Sequence, residues 1–151
     1  MLKQAVMALA TVSALGQAQA SPFCEAFEKV ARAGMEASPF ASLKGKGVKG
    51  DDQAFVASTK FAGFEACHIT PNLARFECFA TGLSEPQAGS LEASTKQELE
   101  TCLGQKMVRD GSISTEPWAL REGPGSYPLI TMNNLKGSGG SMVYFVLQMK
   151  K

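Results

Sequence analysis

The sequence predicts an α+β domain: one antiparallel sheet of about five strands with two helices on one face. Three observations support this prediction. Apolar residues recur at helical spacing near the start and in the middle of the chain, short runs of β-type residues fill much of the rest, and the four cysteines can form two disulfides. The predicted order is α-β-β-α-β-β-β, and we expect residues 21–151 to form a single disulfide-stapled domain.

The first twenty residues, MLKQAVMALATVSALGQAQA, have the layout of a secretory signal peptide. Lys3 precedes an apolar run from Ala5 to Leu15, and Ala18-Gln19-Ala20 follows as an A-x-A cleavage site. The apolar run is shorter than the roughly 20 residues that a membrane-spanning helix needs. We therefore expect residues 1–20 to be removed, the mature chain to stay out of the membrane, and the protein to be periplasmic or secreted.

The first helix is predicted after Pro22, because the fixed φ of proline suits a first helical turn. Apolar or small side chains then recur at helical spacing until Pro39, namely at Phe23, Phe27, Val30, Ala31 and Gly34. The next region, residues 40–53, contains LKGKGVKGDD, in which lysines are spaced by glycines and followed by two aspartates. Because this stretch matches no phosphate-binding pattern, we expect a mobile, solvated loop ahead of the sheet.

Residues 63–82, GFEACHITPNLARFECFATG, hold the only histidine, His68, between Cys67 and Cys78. A zinc site would need short ligand pairs, and thiol redox chemistry would need C-x-x-C; neither spacing occurs. Instead, two β-type runs, Phe64–Thr70 and Arg75–Thr81, flank the turn residues Pro71-Asn72.

Pairing these two runs as a hairpin sets Cys67 opposite Cys78. The same register places Ile69 opposite Phe76 on the inner face, and His68 opposite Glu77 on the outer face. We therefore predict a Cys67–Cys78 disulfide across the hairpin and no metal site.

The second helix is predicted to open at Ser84-Glu-Pro-Gln87, which has the pattern of a capping box, and to stop at Gly104. Its apolar-face positions are Ala88, Leu91, Thr95, Leu99, Cys102 and Leu103. Cys24 begins the first helix and Cys102 ends the second. Two antiparallel helices lying side by side would bring these ends together, which predicts a Cys24–Cys102 disulfide.

After Gly104 the pattern changes to short strands separated by turn residues. The candidates are Lys106–Asp110, Trp118–Arg121 and Tyr127–Leu135, of which Pro128 restricts the last to an edge or a strand beginning. The final run, Met142–Met149, is apolar on both alternating faces, which favours a strand in the middle of the sheet. A flexible glycine turn, LKGSGGS, precedes it.

Three pieces of the chain, GFEACHI, RFECF and ELETCLG, carry a resemblance. In them the chain resembles small exported four-cysteine bacterial domains, whose layout is similar to the α/β arrangement of type III secretion chaperones. Some related exported folds serve as immunity or inhibitor proteins. The resemblance implies a fold of this kind and carries no catalytic residues to this chain.

Charge excludes some partners. The chain has 15 basic and 14 acidic residues, and since Lys3 lies in the signal peptide, the mature chain has no net charge. Such a balance provides no field to attract nucleic acid or an anionic membrane surface. We therefore expect no nucleic-acid partner, and the residues indicate no cofactor.

Candidate site residues fall into two groups. His68 could form a catalytic dyad with Glu77 or another carboxylate, although exposed pairs of this kind are usually weak surface contacts. Trp118, Arg121 and Tyr127 lie in a proline- and glycine-rich stretch, where aromatic side chains can anchor a partner protein or a sugar ring, or simply close the core.

Three functions fit these observations. The first is an exported, non-enzymatic protein-binding domain that blocks another envelope or secreted protein, as an inhibitor or toxin-immunity protein does. The second is a small periplasmic hydrolase or glycan-binding protein that uses His68 with Glu77. The third is a structural envelope component without a discrete site.

Overall fold

A computed structural model describes residues 21–103, 107–109, 116–120 and 129–149. The predicted signal peptide, Arg121 and Tyr127 lie outside the described residues. The helices are α1 (Pro22–Gly34) and α2 (Glu85–Leu103). The strands are β1 (Lys44–Val48), β2 (Asp51–Ala57), β3 (Ala66–Thr70), β4 (Arg75–Leu83), β5 (Met107–Arg109), β6 (Glu116–Leu120), β7 (Leu129–Gly137) and β8 (Gly140–Gln148). They form one sheet of eight strands in the order β1-β2-β3-β4-β8-β7-β6-β5, with every neighbouring pair antiparallel.

The α+β class and the helices on one face are confirmed, but the strand count and order differ from the prediction. The described residues contain four strands before α2 instead of two, because residues 44–57 form the β1–β2 hairpin at the sheet edge. The expectation of a mobile loop over residues 40–53 is therefore wrong. Backbone pairing defines this hairpin, since β1 buries no side chain and β2 buries only Ala54, so the apolar alternation that reveals most strands is missing.

The composition of β1 suits the edge of a sheet. Its lysines are exposed, and charged residues on an edge strand discourage pairing with other chains. The turn into β2 needs Gly50, which has a φ of 86°, in the left-handed region. Lys44 also places its ammonium over the Phe55 ring, 3.6 Å from the ring centroid.

Both helices begin as the sequence predicts. The Ser21 side chain caps α1 by accepting a hydrogen bond from the Cys24 N–H at 3.2 Å. Ahead of α2, Ser84 and Gln87 form a reciprocal capping box: the Gln87 side chain accepts from the Ser84 N–H at 2.9 Å, and Ser84 Oγ accepts from the Gln87 N–H at 3.4 Å.

The stapled hairpin of β3 and β4 has the predicted register. Cys67 pairs with Cys78, His68 with Glu77 and Ile69 with Phe76, and the Cys67–Cys78 disulfide crosses the two strands with Cα atoms 4.0 Å apart. The second predicted disulfide, Cys24–Cys102, joins the start of α1 to the end of α2. Both disulfides are consistent with an oxidising compartment.

The core lies between the helices and one face of the sheet. Phe23, Phe27 and Val30 of α1 pack in one cluster with Ala88 and Leu99 of α2 and with inward-facing sheet residues. Those sheet residues include Ile69, Phe76, Phe145, Leu147 and Ile130. Because α1 and α2 contribute to the same cluster, both helices cover the same face of the sheet.

The last hairpin sits in the middle of the sheet, as the apolar run from Met142 to Met149 predicts. Strand β8 lies between β4 and β7. The predicted flexible glycine stretch is a tight turn in which Gly137 pairs with Gly140 and only Ser138 and Gly139 lie between. Gly140 has a φ of 107°, and an added Cβ there would lie 3.0 Å from the Leu83 carbonyl oxygen, so both backbone conformation and space favour glycine.

Candidate functional site: the open face of the sheet

The sheet face opposite the helices, here called the open face, is the candidate site. Strand register builds it from two rows of neighbouring residues, one across β2, β3, β4, β8 and β7 and the other across β3, β4, β8 and β7. One row contains Val56, His68, Glu77, Val146 and Thr131, and the other contains Ala66, Phe79, Tyr144 and Asn133. The described helices pack on the opposite face, and the apolar members of these rows, Val56, Ala66, Phe79 and Val146, lie outside the core cluster that contains the helix residues.

Aromatic and aliphatic side chains make up part of the open face. Phe79 and Tyr144 are half-buried next to each other on β4 and β8. Val56 is 41% exposed, which is high for a large aliphatic side chain in a sheet. Half-buried aromatic rings supply contact area at interaction surfaces, and the hydroxyl of a tyrosine adds a polar group to it.

A charged network lies at the centre of the open face. Arg75 Nη2 contacts Glu77 Oε2 at 2.7 Å, and the Tyr144 hydroxyl donates a hydrogen bond to the same carboxylate oxygen. The alternation of the strand sets Arg75 and Glu77 on the same side of β4, while Tyr144 reaches Glu77 from β8. The Glu77 side chain is only 14% exposed, so its charge is neutralised locally and not by water.

This setting changes the acidity of Tyr144. Burial is the largest influence and disfavours the tyrosinate; the hydrogen bond to Glu77 and the charge of that carboxylate act in the same direction, while Arg75 opposes them. Together they raise the pKa of Tyr144 to about 12. Tyr144 therefore acts as a neutral hydrogen-bond donor across the physiological pH range.

His68 lies directly opposite Glu77 in the strand register, as the sequence predicts. Its ring packs edge-on against Phe79, with ring centroids 4.9 Å apart. Among the described residues, the polar contacts of Glu77 go to Arg75 and Tyr144. The structure thus brings His68 and Glu77 onto one face but uses the carboxylate oxygen for other partners.

Two polar atoms of the open face are buried without a hydrogen-bond partner within the part of the chain that the structure describes. They are Nε of Arg75, a donor, and Oδ1 of Asn133, an acceptor in the strand position next to Tyr144. Buried polar groups in folded proteins are nearly always paired. The open face therefore keeps hydrogen-bonding capacity that the described residues do not use.

Of the other predicted site residues, the structure describes only the backbone of Trp118. Trp118 lies in β6, where its backbone pairs with Ile130, a fully buried core residue. Arg121 and Tyr127 lie outside the described residues, so the expectation that they bind a partner stays a prediction.

Sequence reasoning missed Arg75, Phe79 and Tyr144. The alternation of residues 75–79 could have revealed Arg75 and Phe79, because the pattern R-x-E-x-F places both on the same side of a strand as Glu77. The expectation that Met142–Met149 is buried on both faces hid Tyr144.

No family model, curated protein or solved structure matches the chain. Neither described helix combines the length and apolar character required to cross a membrane.

Proposed function

We propose that this chain is an exported, non-enzymatic protein-binding domain that holds a partner protein on its open face and blocks it, as an envelope inhibitor or an immunity protein does. One observation carries the proposal: the Arg75–Glu77–Tyr144 network lies among half-buried aromatic side chains on a sheet face without a helix cover in the described ranges. The compartment is inferred from the signal-peptide pattern, and the two disulfides support it.

The residue types of the open face support protein binding. Tyrosine and arginine are enriched among the residues that carry most of the binding free energy at interfaces. Here Glu77 holds both Arg75 and Tyr144 in place. A partner therefore meets a pre-arranged surface, which reduces the entropy lost on binding.

A covalent cross-link lies beneath this surface. The Cys67–Cys78 disulfide joins β3 and β4 directly under His68 and Glu77. Arg75 Nε and Asn133 Oδ1, which have no hydrogen-bond partner among the described residues, add a donor and an acceptor beneath this surface. An unpaired buried polar group costs about 1–3 kcal/mol, so pairing in a complex would favour binding.

A hydrolase that uses His68 with Glu77 is less well supported by the same geometry. A general base needs its orienting carboxylate within hydrogen-bond reach. The Glu77 carboxylate oxygen Oε2 already accepts from Tyr144 and pairs with Arg75. Binding through the network therefore explains more of the arrangement than proton transfer does.

The test is a pull-down with oxidised, tagged residues 21–151 from the envelope and culture fluid of the source cells. We expect one dominant protein bound by the wild-type chain and lost in Arg75→Glu and Tyr144→Ala. Arg32→Glu is the matched control, because Arg32 is an exposed arginine on α1, away from the open face. Equal capture by Arg75→Glu and wild type, with both folded, would refute the open face as the binding surface.

A further inference from the structure

The Cys24–Cys102 disulfide lies beside a carboxylate. Glu98 precedes Cys102 by four residues in α2, so both side chains lie on the same face of the helix. Both sulfur atoms and a Glu98 carboxylate oxygen lie within 4.8 Å of one another. The Ser21 hydroxyl donates a hydrogen bond of 2.8 Å to Glu98 Oε2, which fixes the carboxylate beside the two cysteines.

The two disulfides differ in their access to solvent. Cys24, Cys102 and Glu98 are all half-buried. By contrast, Cys67 is 1% exposed and Cys78 is fully buried. Thiol–disulfide exchange requires a reductant to reach a sulfur atom, so a small reductant attacks Cys24–Cys102 first.

Reduction changes the chemistry of this cluster. A dithiol transfers two electrons and two protons to the Cys24–Cys102 bond and becomes a disulfide itself, which leaves two thiols beside Glu98. We propose that these three side chains then form a binding site for a thiophilic divalent cation such as Zn²⁺. The ligands are Cys24 Sγ, Cys102 Sγ and a Glu98 carboxylate oxygen, and the two thiol protons pass to solvent when the cation binds.

The ligand set suits zinc. Zn²⁺ accepts thiolate sulfur and carboxylate oxygen as ligands, and a site with three protein ligands completes its tetrahedron with water. The Ser21 hydroxyl donates a hydrogen bond to the Glu98 carboxylate from outside the ligand set and so orients it. Packing also holds the two helices together independently of the disulfide, because Phe23, next to Cys24, and Leu99, next to Glu98, belong to the common core cluster.

The site is closed while the disulfide is intact, since disulfide sulfurs carry no thiolate charge. Under reducing conditions the cation takes over the role of the covalent bond, because it joins the same two helix ends. The proposal is independent of partner binding on the open face, which involves none of these residues.

The experiment uses residues 21–151 after mild reduction with a dithiol and its removal without oxygen. Alkylation and mass spectrometry first verify that Cys24 and Cys102 are free thiols while Cys67–Cys78 stays bonded. Cd²⁺ is then titrated in, and the ultraviolet charge-transfer absorption of cadmium–thiolate bonds is recorded. We expect one Cd²⁺ per chain in the reduced protein, none in the oxidised protein, and displacement of Cd²⁺ by excess Zn²⁺.

Substitutions identify the ligands. Glu98→Gln should weaken Cd²⁺ binding roughly tenfold or more, whereas Glu100→Gln, an exposed carboxylate on the same helix, should leave it unchanged. A reduced wild-type protein that binds no Cd²⁺, or that unfolds and stays unfolded with Cd²⁺ present, would overturn the proposal. So would equal affinity in Glu98→Gln or in Cys24→Ser.

Discussion

Tyr144 donates a hydrogen bond to the Glu77 carboxylate of the neighbouring strand, and Arg75 contacts the same carboxylate oxygen at 2.7 Å. A tyrosine hydroxyl and a guanidinium thus share one acceptor atom, Glu77 Oε2, on the open face. The arrangement neutralises Glu77 and holds Arg75 and Tyr144, the two residues to which we assign partner binding in the proposed function. It also gives the open face a measurable signature, the titration of Tyr144.

The first prediction concerns that titration. The pKa of Tyr144 is raised to about 12, chiefly by burial and then by Glu77. The chain has two tyrosines, so the ultraviolet difference between wild type and Tyr144→Phe isolates the phenolate signal of Tyr144. We expect this signal to develop around pH 12 in the folded protein. A midpoint near the ordinary tyrosine value of about 10 would contradict the network.

The second prediction follows by linkage from the same pKa. Because the folded pKa is above the unfolded one, the stabilisation by neutral Tyr144 is complete below the unfolded pKa of about 10 and is lost as pH rises through the folded value. We expect the wild type to lose stability relative to Tyr144→Phe between about pH 10 and 12. Urea unfolding of both proteins at pH 8 and at pH 11 measures this difference, and a constant difference would count against it.

The third prediction concerns the two disulfides. They span sequence separations of 78 and 11 residues, so the chain-entropy model assigns about 4.5 kcal/mol to Cys24–Cys102 and about 3 kcal/mol to Cys67–Cys78. Replacing each pair by alanines should lower the free energy of unfolding in that order, as measured by denaturant titration. The opposite order would show that hairpin geometry outweighs the constraint on the unfolded chain.

The alternation of apolar and polar residues predicts some elements of this fold correctly and misses others. Strong alternation defined β3 and β4, because a one-residue slip would have moved Cys67, Ile69 and Phe76 out of the core. The β1–β2 hairpin escaped prediction, since Lys44–Val48 buries no side chain and carries no apolar period. The open face was not predicted for a related reason. His68 and Glu77 lie within one hairpin and their pairing can be predicted from local sequence, whereas Tyr144 joins them only through the non-local pairing of β4 with β8.

The fourth prediction concerns the centre of the core. The Phe61 ring is 1% exposed and packs against five other phenylalanine rings, with centroid distances between 4.9 and 6.5 Å. Because a cavity there would be lined by several rigid rings, Phe61→Ala should lower the free energy of unfolding by about 3–5 kcal/mol. Leu73→Ala is the control: Leu73 is 42% exposed and should change stability far less. Similar losses in both variants would contradict the packing described here.

The fifth prediction separates two roles of Ser21. Its hydroxyl caps α1 through the Cys24 N–H and donates to Glu98 of α2. Ser21→Ala removes both bonds and should cost about 1–2 kcal/mol in the free energy of unfolding.

Ser21→Asp retains a capping oxygen but places a second carboxylate against Glu98. If the bond to Glu98 matters, Ser21→Asp should recover only part of the stability that Ser21→Ala loses, because the second carboxylate repels Glu98 and donates no hydrogen bond to it. Urea unfolding of the three proteins at pH 7 distinguishes the cases, and full recovery in Ser21→Asp would show that capping alone explains Ser21.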